Sequence, residues 1–176
     1  MEELHTAIRD VPKPVIARVQ GFAIGGGNVL ATICDLTICS DKAQFGQVGP
    51  KMGSVDPGYG TAFLARVVGE KKAREIWYLN RRYSGAEAVA MGLANFCFPH
   101  DELDAEVQKI GEELCERSPT ALAIAKRSFN ADTAHQAGIA GLGMYALKLY
   151  YDTEESREGV NALKEKRKPE FRKYVK

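Results

Sequence analysis

A strand-like run, Val15-Ile16-Ala17-Arg18-Val19, leads into Gly21-Phe22-Ala23-Ile24-Gly25-Gly26-Gly27-Asn28 and then into the apolar residues Val29, Leu30 and Ile33. Few folds accommodate three consecutive glycines at a strand-to-helix junction. The backbone there can approach a ligand, and the first N–H groups of the following helix lack intrahelical partners and sit at its positive end. Such a turn can hold an anion or an oxygen that gains charge during a reaction. Close packing of helix on strand would explain a glycine cluster equally well, so the neighbouring residues must decide.

A second run, Asp35 to Ser40, completes a strand-helix-strand unit. Residues Phe45 to Tyr59 follow, with Gly46, Gly49, Pro50, Gly53, Pro57 and Gly58, and are expected to be loop. A loop of that length inside a compact domain is commonly functional. Beyond Gly60 the pattern is helical, interrupted by a short strand at Ala94 to Phe98. Ser84 and Glu87 form a capping box, Asp101 is expected to cap Glu102 to Arg117, and Ser118-Pro119 opens a helix with Ala121, Leu122, Ile124 and Ala125 on its apolar side. Helices are expected over Ala134 to Tyr151 and from Glu154 to about Arg167. The reading is an α/β chain in one structural unit, with a core region at 1–99 and a helical region at 100–176.

At 176 residues with 45% hydrophobic and 27% charged residues, the chain can build one core. A net charge of +1 gives no general field toward nucleic acid or an anionic membrane, so recognition must come from a site. No apolar run approaches the roughly 20 residues of a membrane helix, and the start Met1-Glu2-Glu3-Leu4-His5 is unlike a signal peptide. The default location is cytoplasmic. Cys34, Cys39, Cys97 and Cys115 read as reduced, packed thiols, and with His5, His100 and His135 they show no metal-ligand spacing.

The glycine turn lacks the Lys and Ser or Thr of a nucleotide phosphate loop, and its spacing differs from Gly-x-Gly-x-x-Gly. What gives it meaning is the ordered set Gly21-Phe22-Ala23-Ile24-Gly25-Gly26-Gly27, Cys34-Asp35-Leu36-Thr37-Ile38 and Phe45-Gly46-Gln47-Val48-Gly49-Pro50-Lys51. This set resembles the crotonase family, acyl-CoA enzymes built from repeated ββα turns that stabilise a thioester enolate with backbone N–H groups. The resemblance implies a crotonase-like ββα superhelix, incomplete at its start, followed by C-terminal helices. It gives the Gly26 N–H the role of one oxyanion donor, flanked by Gly25 and Gly27. The family pattern has an opening third with no counterpart here, including the second donor, so the chain is expected to be a fragment or to have its start assigned at an internal Met.

The family's hydratases carry one Glu after the glycine triplet and another after Phe-Gly-Gln. Val29 and Gly49 stand there. Without that acid/base pair, addition of water across a double bond is not expected. Gly53-Ser54-Val55-Asp56-Pro57-Gly58-Tyr59-Gly60, Lys71 to Tyr78 and Lys164 to Phe171 are most similar to the 2-ketocyclohexanecarboxyl-CoA hydrolase branch, and next to the 1,4-dihydroxy-2-naphthoyl-CoA synthase branch. Both branches pass through a thioester enolate, one breaking and one forming a carbon–carbon bond.

The resemblance gives catalytic roles to Asp56, Tyr151 and Ser54, and substrate-facing roles to Gln47, Gly49, Tyr59 and Trp77. From the residues alone, Asp56 could cap a turn and Tyr151 could be core or interface. Gln47 and Trp77 match positions that hold bicarbonate in some synthases, while Val48 replaces a hydroxyl donor and leaves that anion open. CoA enters as a thioester substrate, with no covalently bound cofactor. The basic tail is a solvated helix end by composition. By resemblance, Lys166 and Arg167 meet CoA phosphates, and the assembly is a homotrimer or a dimer of trimers. A non-catalytic, oligomerising fragment is the competing reading.

Overall fold

Two small sheets form where short β-branched and aromatic runs alternate with turns, and the computed structural model describes residues 2–175. Helix α1 (Glu2–Asp10) precedes strand β1 (Ile16–Val19), β2 (Phe22–Ile24), α2 (Gly26–Ile33), β3 (Leu36–Ser40), β4 (Gln44–Gly46) and the single turn α3 (Gly49–Met52). A π-helical turn, Tyr59–Phe63, runs into α4 (Leu64–Val68) and α5 (Glu70–Leu79). Then come β5 (Tyr83–Ser84), α6 (Gly85–Ala90), β6 (Phe96–Phe98), a 3-10 turn at His100–Glu102, α7 (Leu103–Cys115), α8 (Pro119–Asp132), α9 (His135–Tyr151) and α10 (Glu154–Lys164).

One sheet has the order β1-β3-β6, all parallel, with Ile16 opposite Leu36 and Cys39 opposite Cys97. The other is β2-β4-β5, parallel between β2 and β4 and antiparallel between β4 and β5. Parallel strands need a covered crossover, which α2 supplies between β1 and β3. Ala23, Cys39, Phe45, Leu64, Ile76 and Trp77 meet in the main core, where Phe45 and Ile76 are fully buried. The expected α/β architecture is therefore the observed one.

The boundaries differ in instructive ways. The stretch 45–59 is not all loop: Gln44–Gly46 pairs with both β2 and β5, and Pro50 is the second residue of α3, in the first turn where its missing N–H costs nothing. The strand β2, inside the glycine-rich turn, escaped the sequence reading because it has three residues. Asp101 lies within the 3-10 turn, so Glu102 occupies the cap position of α7 without a side-chain bond. Ser118 and the Ser84–Glu87 box cap α8 and α6 as expected.

Helix α8 turns the other way round from its apolar pattern: Ile124 is 65% exposed, whereas Lys126 is 6% exposed. The Lys126 ammonium donates to the carbonyls of Ile8 (2.8 Å) and Lys13 (2.9 Å) and to the Asp35 carboxylate (2.7 Å). A buried ammonium with three oxygen partners satisfies all of its donors, which explains how a charge displaces an isoleucine from the interior. Lys126→Met should cost about 2 kcal/mol in urea unfolding, because three acceptors lose their donor while Asp35 keeps partial access to water. An unchanged midpoint would remove the ammonium from the stability of this face. The cysteines are free thiols, and Cys115 is exposed rather than packed. Burial pushes the Cys39 thiol up to about 12, with Cys97 beside it adding to the shift.

Candidate active site

The glycine turn is held open by its own backbone. Gly25 has φ +57° and ψ −119°, and its N–H donates to the Gly46 carbonyl at 3.0 Å while its carbonyl accepts from Val29. Those bonds tie the start of α2 to the end of β4 and leave Gly26 and Gly27 facing solvent. Nothing lies within 4 Å of a Cβ built on Gly27. The first-turn N–H groups of Gly26 and Gly27 therefore sit at an accessible helix start, where a developing oxyanion is best stabilised. Behind them Asn28 and Val29 are buried, and Gln47 donates its amide to Asn28 Oδ1 at 3.2 Å. Asn28 was missed in the sequence, although an amide inside an apolar helix is itself a signal.

The 45–60 segment connects that turn to the second half of the site. Val48 lies 3.5 Å from the position of a Cβ on Gly25. Gly49 is required by crowding, since a Cβ there would stand 2.5 Å from the Ser54 carbonyl oxygen and 2.6 Å from the Trp77 ring. The Ser54 N–H donates to the Gly49 carbonyl at 2.8 Å, and the Ser54 hydroxyl is 2.7 Å from the Tyr151 hydroxyl. These side chains are 97 residues apart in sequence. Two residues further on, Asp56 Oδ1 accepts from the Gly60 N–H at 2.9 Å.

Burial raises the Asp56 pKa, and the Gly60 N–H and the charge of buried His5 pull it back. A carboxylate made more basic in this way is a better proton acceptor near neutral pH.

The C-terminal helices bring Tyr151 to this place by backbone-on-backbone contact. A Cβ on Gly58 would stand 2.8 Å from the Ala140 nitrogen of α9, and one on Gly143 of α9 would collide with Pro57. Cβ atoms on Gly53 or Gly159 would likewise collide, with the Ser156 carbonyl of α10 and the Lys51 carbonyl of α3 respectively. Thr153 caps α10, its hydroxyl accepting from the Ser156 N–H, so the chain reverses directly after Tyr151.

Other sequence-chosen residues are placed differently. Tyr59 is 5% exposed and packs edge-on against His5 and Phe63, with the Arg9 guanidinium over its ring, so it is core rather than substrate-facing. The Trp77 indole N–H is engaged with the Gly60 carbonyl. Arg167 is bound to Glu158, itself 4% exposed, and to Glu165, while Lys166 is exposed with φ +55°.

Arg167, the Glu170 N–H and Lys173 hold the Glu158 carboxyl down at about 2. Because the folded pKa is lowered, this contribution is complete above the ordinary Glu range near 4.3 and is lost as pH falls through about 2. Thermal melts should fall across that window, and Glu158→Gln should flatten the decline. An identical decline in the variant would exclude Glu158 as its source.

Among the described residues no three His, Cys, Asp or Glu side chains cluster as metal ligands, and no helix is long and apolar enough to cross a membrane.

The exposed helix start at Gly26 and Gly27, the Ser54–Tyr151 hydroxyl pair and the carboxylate of Asp56 are groups of the kind that serve carbonyl chemistry. The sequence pattern of the enoyl-CoA hydratase/isomerase family matches residues 1–174, and the chain belongs to that family, the crotonase superfamily indicated by its motifs. It is similar to an enoyl-CoA hydratase from Mycobacterium avium subsp. paratuberculosis, with 33% identity and a TM-score of 0.89 over 97% of this chain and 70% of that one. A methylmalonyl-CoA decarboxylase in complex with 2-nitronate-propionyl-CoA matches at 25% identity and TM-score 0.81, over 96% of this chain and 66% of that one. An enoyl-CoA isomerase from M. smegmatis matches at 30% identity and TM-score 0.70, over 76% of this chain and 63% of that one. The chain thus spans about two thirds of the length of these relatives. Enzymes of the family act on acyl-CoA thioesters.

Proposed function

We propose that this chain carries the enolate-forming half of an acyl-CoA carbon–carbon hydrolase, opening the ring of 2-ketocyclohexane-1-carboxyl-CoA to give pimeloyl-CoA. The observation that carries the reading is the Ser54–Tyr151 hydroxyl contact two residues from a basic Asp56. It is supported by Val29 and Gly49, which leave no carboxylate where hydratases of the family carry theirs. Water would lose a proton to Asp56 as its oxygen bonds to the ring ketone carbon. The bond from that carbon to the thioester α-carbon then breaks, and its electron pair moves onto the thioester oxygen at the Gly26 N–H. Tyr151, hydrogen-bonded to Ser54, would deliver a proton to the α-carbon and regain one as Asp56 releases the proton taken from water to solvent, leaving a free carboxylic acid and an intact thioester. CoA is then part of the substrate, and bicarbonate has no role in this sequence.

The test is incubation of 2-ketocyclohexane-1-carboxyl-CoA with the chain and with a version extended to the length of its relatives. Pimeloyl-CoA from either supports the reading. If neither yields it, and the extended form instead closes the ring of o-succinylbenzoyl-CoA, the synthase reading replaces it.

A further inference from the structure

A concavity of about 350 Å³ opens between α1, the end of α8 and the start of α9, and none of Gly26, Ser54, Asp56 or Tyr151 lines it. That volume is at the small end of the range for small-molecule pockets. Its apolar wall comes from the methyl groups of Ala131, Ala134 and Ala137, and its polar groups include Arg9 and Tyr59. Arg9 is 8% and Tyr59 5% exposed, so both are buried side chains that keep some surface on the concavity.

Arg9 spends one of the five N–H groups of a guanidinium, on Thr133 Oγ1 at 2.6 Å. Its charge rests over the rings of Phe63 (4.9 Å) and Tyr59 (5.6 Å), which hold the group in place without cancelling its charge. The carboxylates around it belong to other cations. Asp10, which lines the same concavity, is 3.5 Å from Arg127. In an adjoining concavity that Arg9 also lines, Asp35 is 2.7 Å from Lys126 and Asp132 is paired with Arg66. Among the described residues no carboxylate lies within ion-pair distance of Arg9, so the positive charge left over is its own. A guanidinium stays ionised when buried, and without a counter-charge its burial is costly.

A separate observation comes from the Tyr59 hydroxyl. The ring packs edge-on against His5 and Phe63, yet the O–H makes no hydrogen bond among the described residues. A buried tyrosine ordinarily finds a partner for that group. Neither the Tyr59 oxygen nor any uncommitted Arg9 nitrogen is sealed from solvent. Both residues therefore line one concavity with donors still open, and a negatively charged acceptor would take both.

We infer that this concavity binds a small aliphatic carboxylate. The carboxylate meets the Arg9 guanidinium, whose planar fork matches two carboxylate oxygens, and accepts from the Tyr59 hydroxyl. A chain of about four to six carbons then lies on the three alanines. Inorganic phosphate would bring more charge than one unpaired cation offsets and would leave the methyl groups uncovered. The binding claim stands independently of the proposed reaction.

Titration calorimetry of the chain with hexanoate at neutral pH tests this, with 1-hexanol and inorganic phosphate as controls. Saturable binding of hexanoate is expected, with the alcohol weaker by roughly tenfold because it lacks the charge-assisted bond. Tyr59→Phe keeps the ring and should weaken hexanoate about threefold to tenfold with no loss of melting temperature, since the hydroxyl has no protein partner to lose. Arg9→Gln should weaken it by roughly tenfold or more. Tyr151→Phe, at the candidate active site, should leave the affinity unchanged. Absence of saturable binding overturns the proposal, as does an alcohol or phosphate that binds as tightly as hexanoate. So does a Tyr59→Phe variant that binds hexanoate like the parent, or a Tyr151→Phe variant weakened as much as Tyr59→Phe, which would put the acid in the active site.

Discussion

Replacing Asp56 by Asn is expected to lower turnover of the ring-ketone thioester by about 10²-fold or more, the scale on which a positioned acid or base contributes. The Gly60 N–H still finds an acceptor in the Asn carbonyl, so the fold should survive and the loss should fall on the reaction. Burial raises the Asp56 pKa, so the rate should climb with pH through a value above the ordinary carboxylate range, and that limb should vanish in the variant. The stability contribution runs in the opposite sense. A raised carboxyl pKa favours the folded state at low pH and stops doing so as pH rises through it. Near-normal turnover in Asp56→Asn would remove the carboxylate from proton transfer.

The largest effect on stability is expected at Gly53. Its φ of +75° disfavours any L side chain, and a Cβ there would collide with the Ser156 backbone of α10. Left-handed strain of about 1–2 kcal/mol and overpacking of about 1–3 kcal/mol together put Gly53→Val near 4 kcal/mol. For a domain of this size that corresponds to a melting temperature roughly 10 °C lower. The variant should also separate Ser54 from Tyr151, because α10 follows Tyr151 after one short turn. A melt within about 2 °C of the parent would show that the α3–α10 contact relaxes without difficulty.

The glycine turn was legible because its chemistry is local: positive φ at Gly25 and an exposed helix start follow from neighbouring residues. Capping at Ser84 and Ser118 was legible for the same reason. The Ser54–Tyr151 contact could not be read from spacing, since the loop after α3 and the end of the chain-distant α9 deliver it, and the family resemblance named both residues without pairing them. Periodicity misplaced α8 because the ammonium of Lys126 finds three oxygens that lie elsewhere in the sequence. Tyr59 and Trp77 sit in two of the stretches that carry the resemblance, yet tertiary packing turns the ring of one and the N–H of the other inward. Proximity in a motif fixes neighbourhood, and the direction of each side chain is decided by the rest of the fold.

The glycines at 53 and 159 place the backbone of α10 directly on that of α3, with no side chain between them to deform. Flexible side chains act as springs, and this joint has none. Helix α10 and the segment leading to Ser54 must therefore travel as one rigid piece or part completely, so that hydrogen exchange over 49–54 and 154–164 should share a single opening rate. The seat of the paired Ser54 and Tyr151 hydroxyls would then behave as a hinge leaf with only two positions, shut or detached.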